Sequence, residues 1–125
     1  MIVLDTHAWL WWVADSKKLS DRARHASEHS NAVGVCAVGC LEVAMLVARK
    51  RLELDREALV WIRQALAMPR VTLLPLSPEV AAAGRDEGIP GDPADRMIAA
   101  TARELRAYSY LSASIGSRRA ARRAG

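Results

Sequence analysis

Apolar residues along this chain fall into two rhythms, short unbroken runs and longer stretches at helical spacing. Met1 to Leu4 is a short apolar run closed by Asp5, and Trp9, Leu10, Trp12 and Val13 follow at helical spacing, which predicts a strand and then a helix. Leu19-Ser20-Asp21 offers an N-cap for a polar helix through His29, and Asn31 begins a turn into a strand over Val33–Cys36. From Ala37 to Ala48 the pattern is a mostly apolar helix with one charge, Glu42, closed by the basic run Arg49-Lys50-Arg51. Asp55 is placed to cap a helix whose Ala58, Trp61, Ile62, Ala65 and Leu66 share one face, with Pro69 as its stop. Val71–Leu74 reads as a buried strand. Ser77-Pro78-Glu79 starts a helix that Gly88 ends, and Asp92-Pro93 starts another. Short apolar strands alternating with helices predict a single α/β domain with a parallel sheet covered by helices on both faces.

Length agrees with one domain, since 125 residues and 13.7 kDa are enough to bury a core without disulfides or structural metal. A hydrophobic share of 51% and a charged share of 26% argue against a disordered chain. The net charge of +4 suggests a nucleic-acid partner until its distribution is followed. Residues 1–105 carry 13 Lys and Arg against 14 Asp and Glu, whereas 106–125 carry five Arg and no acid. No stretch is long and apolar enough to cross a bilayer, and Asp5 interrupts the place where a signal peptide would need apolar residues, so a cytoplasmic protein is expected. Cys36 and Cys40, four apart without a CxxC, read as small core residues.

The chemistry-bearing candidates are carboxylates. Asp5 follows a strand, where open parallel sheets place their ligand sites, although a helix N-cap is the plainer explanation of a lone Asp there. Glu42 sits among Leu41, Val43, Ala44, Met45, Leu46 and Val47, so it must meet a cation, stay protonated or face a wet cleft. A buried salt bridge to an Arg is the plainer alternative. Asp92 and Asp95 straddle Pro93, Asp92 as a cap and Asp95 beside an apolar face set by Ala94, Ile98, Thr101 and Leu105. If Asp5, Glu42 and Asp95 converge, each pair at ~5 Å and an effective dielectric of ~20 costs about 3 kcal/mol. A divalent cation removes that cost, and an all-oxygen set suits Mg²⁺ or Mn²⁺, the ions of phosphodiester hydrolysis.

Ile2-Val3-Leu4-Asp5-Thr6-His7, Glu42-Val43-Ala44-Met45-Leu46 and Gly91-Asp92-Pro93-Ala94-Asp95-Arg96-Met97-Ile98-Ala99-Ala100-Thr101-Ala102 resemble the successive motifs of PIN-domain ribonucleases, most nearly the VapC toxins of bacterial toxin–antitoxin pairs. The resemblance runs in order from Met1 to about Leu105. It implies a PIN-like parallel sheet flanked by helices, Mg²⁺- or Mn²⁺-dependent endonuclease activity on RNA, homodimerisation, and inhibition by a cognate VapB-like antitoxin. By resemblance Asp5, Glu42 and Asp95 are the catalytic, metal-binding acids, Asp92 is a neighbouring cap, and Thr6 either orients Asp5 or only starts a helix.

The chain departs from the family after residue 105. The fourth acid of the family is expected near Ala113, where the sequence reads Tyr110-Leu111-Ser112-Ala113-Ser114, and no Asp or Glu follows Glu104. The chain therefore divides into a PIN-like body over 1–105 and a divergent, partly disordered basic segment over 106–125. Reading the codons of Arg106 to Leu111 two bases late allows a turn followed by an apolar strand, so a frameshift after about Leu105 is one explanation, decided by the nucleotide sequence. Arg118, Arg119, Arg122 and Arg123 can hold RNA phosphates or simply sit in a solvated tail. The alternative function is a catalytically impaired PIN domain that retains dimerisation or antitoxin binding. A phosphatase-like hydrolase with Asp5 as nucleophile fits less well, because His7 stands where its second Asp belongs. Trp9 and Trp12 are expected in the core and Trp11 at a contact surface.

Overall fold

In the computed structural model, residues 1–105 and 109–111 are described, the last three as a strand. Position 113 and the arginines of the tail lie outside the described residues, as do the remaining residues to which the frameshift reading applies. The elements run β1 (Ile2–Leu4), α1 (Thr6–Ala14), a 3-10 turn at Ser16–Lys18, α2 (Asp21–His29), β2 (Val33–Cys36), α3 (Ala37–Ala48), α4 (Ala58–Leu66), β3 (Val71–Leu74), α5 (Pro78–Ala83), α6 (Pro93–Glu104) and β4 (Ser109–Leu111). All the strands are parallel in the order β3-β2-β1-β4. β1 is therefore central, with Leu4 level with Val35 on one side and Leu111 on the other.

Side-chain alternation along the strands builds two cores. Ile2 and Leu4 of β1, with Val33 and Val35 of β2, face Trp9, Leu10, Val43, Trp61, Ile62 and Ala65. Val3, Cys36 and Leu74 face the other way, against Val38, Ile98 and Ala102. β1 is buried on both faces, which is why its sequence is an unbroken apolar run rather than an alternation. Trp9 is fully buried and meets Trp61 edge-on with ring centroids 5.3 Å apart. Trp11 and Trp12 are both half-buried against the same cluster, so the expected split between a core Trp12 and an outward Trp11 does not hold.

Other departures have local causes. β3 was expected to be buried, but it is an edge strand in which Leu73 is 50% exposed. The α4 cap is Glu57, whose carboxylate accepts from Val60 N–H, while Asp55 pairs with the neighbouring Arg56. The helix from Ser77 ends at Ala83 rather than Gly88. Successive N–H groups of Gly84, Arg85 and Asp86 tighten onto the carbonyls three residues back, and Arg96 takes the Gly84 carbonyl at 3.1 Å. α3 is less buried than its composition suggests, with Leu41 57% exposed. On α6, Ile98, Thr101 and Ala102 are buried and Leu105 is exposed. Cys36 and Cys40 are free thiols, Cys36 buried and Cys40 half-buried, as their spacing predicts. No helix among the described residues is long and apolar enough to cross a membrane.

The Trp9–Trp61 contact anchors the larger core, so Trp9→Ala is expected to cost about 3–5 kcal/mol of folding stability. Urea unfolding checks it, and a loss below ~1 kcal/mol would show that α1 is not seated as described.

Candidate carboxylate active site

The chain runs outward from β1 through β2 to β3 and then returns to the far side of β1 with β4, so the order of connection reverses beside β1. Ligand sites of open parallel sheets form at such reversals, beyond the carboxyl ends of the strands. Asp5 occupies that position. It is 6% exposed, caps α1, and accepts from Ala8 N–H at 2.9 Å. The N-cap reading and the site reading are thus compatible in one residue.

Glu42 reaches the same region from the second turn of α3. The Thr6 hydroxyl, buried at the start of α1, donates to Glu42 Oε1. The close approach of α3 to Thr6 is visible one turn earlier, where a Cβ on Gly39 would lie 3.4 Å from Thr6 Oγ1. The alternative of a salt bridge to an Arg is not realised among the described residues; a neutral hydroxyl is the partner. Burial pushes the Glu42 carboxyl above the ordinary glutamate range, and the negative charges of Asp92 and Asp95 push it the same way. The Thr6 hydrogen bond and His7 oppose the shift.

Asp92 and Asp95 form a reciprocal capping box on α6. Asp95 N–H donates to Asp92 Oδ1 at 2.9 Å, and Asp92 N–H donates to Asp95 Oδ2 at 3.3 Å. The Asp95 carboxyl is also held above its usual range, first by burial and then by the charge of Asp92, with Asp5 adding to the repulsion. Gly91 lets the preceding loop pass close to Asp95. Its φ is +102°, and a Cβ there would come within 2.6 Å of Asp95 Cβ. Arg96 stitches the loop in place, donating to the Ile89 and Gly84 carbonyls, each at 3.1 Å.

Asp95 therefore senses the charge of Asp5, and Glu42 senses that of Asp95. The three are not drawn into a ready chelate: among the described residues, no three His, Cys, Asp or Glu are gathered closely enough to hold an ion. Each carboxylate is instead engaged by a protein donor, Ala8 N–H, the Thr6 hydroxyl or Asp92 N–H. As a donor set, acids that repel one another and carry no nitrogen or sulfur suit a hard divalent cation. Sequence reasoning missed the Thr6–Glu42 link and the Arg96 clamp. The motif ties Thr6 to Asp5 or to the helix start, and its separation of 36 residues from Glu42 leaves no local signal of the link.

The repulsion has a measurable consequence. The folded chain binds the Glu42 proton more tightly than the unfolded chain, so its ionised carboxylate weakens folding at neutral pH. Glu42→Gln keeps an oxygen for the Thr6 hydroxyl and is expected to melt higher than the parent at pH 7 without divalent ions. The advantage shrinks as pH falls through the raised value and vanishes below about 4, the ordinary glutamate range. A lower melting temperature at pH 7 would contradict this electrostatic account.

A PIN domain family model matches residues 2–108 of the chain. Ribonuclease VapC22 of Mycobacterium tuberculosis is 36% identical over 103 residues, covering 82% of this chain and 79% of the relative. Among solved structures, one described as the structure of FitAB bound to an IR36 DNA fragment aligns with a TM-score of 0.53 at 20% identity, over 90% of this chain and 95% of that one. This last likeness concerns the fold.

Proposed function

For a chain that belongs to the PIN-domain family, and within it to the VapC-type ribonucleases, we propose that Asp5, Glu42 and Asp95 hold Mg²⁺ or Mn²⁺ and make it a toxin-type RNA endonuclease. The observation that carries the reading is Asp5 standing just past the end of central β1 as the cap of α1, with Glu42 accepting from the adjacent Thr6 hydroxyl and Asp95 seated in the capping box at the head of α6. Bound there, the cation would supply hydroxide near neutral pH and neutralise charge on the phosphoryl oxygens. The chain's own residues supply the positioning. Ala8 N–H fixes one Asp5 oxygen, Thr6 aims Glu42, and the capping box with Gly91 sets Asp95 at the head of α6.

RNA is the proposed substrate, a VapB-like antitoxin the proposed inhibitor, and a homodimer the proposed assembly, all on the strength of VapC-type membership. The absence of any Asp or Glu after Glu104 favours a second reading, a weakly active PIN domain that still binds its antitoxin. The two readings separate in one assay.

Asp5→Asn preserves an N-cap that can accept from Ala8 N–H, so the variant is expected to fold normally. Its Mg²⁺-dependent RNA cleavage is expected to fall on the order of 100-fold or more, the scale of losing several kcal/mol of charge stabilisation. Cleavage unchanged from the parent would overturn the assignment, and a parent chain that binds antitoxin without cleaving RNA would favour the second reading. Gly91→Ala, which crowds Asp95, is expected to reduce cleavage while leaving the helical circular dichroism intact. Equal turnover in that variant would show that the Gly91 conformation does not set the acid.

A further inference from the structure

His25 and His29 on α2 take no part in the carboxylate site. They stand one helical turn apart, both exposed, while Ala23 and Ser27 turn into the protein. Their rings are stacked, with centroids 4.1 Å apart and planes inclined at 28°. His29 Nδ1 lies 2.8 Å from the His25 carbonyl oxygen. A carbonyl only accepts, so this contact places the ring proton on Nδ1 and leaves the Nε2 lone pair of the neutral ring directed away from the backbone. Ligating histidines are oriented in the same way, with the second ring N–H committed to a carbonyl.

The turn that carries the pair is held from outside the helix. Arg70 Nη1 donates to the Ser27 carbonyl at 2.9 Å and to the Ser30 carbonyl at 2.8 Å, tying the end of α2 to the residue before β3. The two imidazoles therefore project from a braced surface rather than a fraying helix end. Histidines at i and i+4 on one helix face are spaced to grip a single ion once the His25 ring turns out of the stack, in which the in-plane lone pairs run nearly parallel, while His29 keeps its Nδ1 contact.

We propose that His25 and His29 form a surface site for a divalent transition-metal ion of the Zn²⁺, Ni²⁺ or Cu²⁺ class, bound by two imidazole nitrogens with water completing the shell. Imidazole nitrogen selects these ions over Mg²⁺ and Mn²⁺, so the site is chemically separate from the carboxylates. With no third His, Cys, Asp or Glu gathered beside the pair among the described residues, it is open and exchangeable, unlike a closed structural cage.

Calorimetric titration of the chelator-treated full chain with Ni²⁺ tests the proposal. With Mg²⁺ in large excess to fill the carboxylates, the parent and a His7→Ala control are expected to bind one Ni²⁺ per chain with equal affinity, His7 being the chain's remaining histidine, near Glu42. His25→Ala and His29→Ala are each expected to weaken binding by at least about tenfold, with unchanged circular dichroism because both side chains are exposed. Unaltered Ni²⁺ affinity in both variants overturns the site. So does a loss seen in His7→Ala alone, which would assign the ion to the carboxylate cluster.

Discussion

Repulsion among carboxylates held at the end of one sheet is the constraint around which the rest of this molecule is arranged. Asp5 and Asp95 feel each other's charge, and Glu42 feels that of Asp95 and Asp92. The chain offsets that cost with backbone donors. Asp5 and Asp92 are helix N-caps, and Asp95 stands in the first turn, where unpaired N–H groups and the positive end of the helix favour negative charge. Glu42 lies inside α3, where the backbone N–H groups are already used by the helix, and there the side-chain hydroxyl of Thr6 takes over. The acid without backbone support is the one that needs a partner from another element.

This arrangement explains what was legible in the sequence. Strand-then-acid at Leu4-Asp5, a lone charge in an apolar helix at Glu42, and the cap-proline-acid pattern from Asp92 to Asp95 are all local signals, and the structure places each residue in its expected element. What joins the acids is not local. Thr6 reaches Glu42 across 36 residues, and Arg96 reaches back to Gly84 and Ile89 through a loop with no periodic pattern. The same limit governs the fold. An apolar run such as Val71–Leu74 announces a strand, but its edge position and what covers each sheet face decide that Leu74 meets the core and Leu73 meets water.

The sheet links stability to the site through β1. Its three residues are buried on both faces and paired on both sides, so the position of Asp5 is set by a fully enclosed strand. α6 is tied to the same centre through Ile98 and Ala102, which pack against Val3. Asp5 and Asp95 are thereby fixed by opposite ends of one packing chain. Glu42 is tied in from the opposite core, through Val43 against the Ile2 and Leu4 cluster. Both cores therefore bear on where the three acids sit.

Charge distribution then bears on how a polyanion is received. Residues 1–105 carry 13 basic and 14 acidic side chains, so the body that holds the site has no net attraction for RNA. If the proposed site receives RNA, an incoming phosphate meets the negative charge of Asp5, Glu42 and Asp95, with Asp92 adding to it. On the proposed reading, substrate is received only after that negative charge has been neutralised, which makes productive binding conditional on loading of the site. The proton affinity of Glu42 and Asp95, raised by burial and repulsion, marks the same tension: a proton relieves it at low pH, and on the proposed reading a divalent ion would relieve it at a pH where protons no longer do.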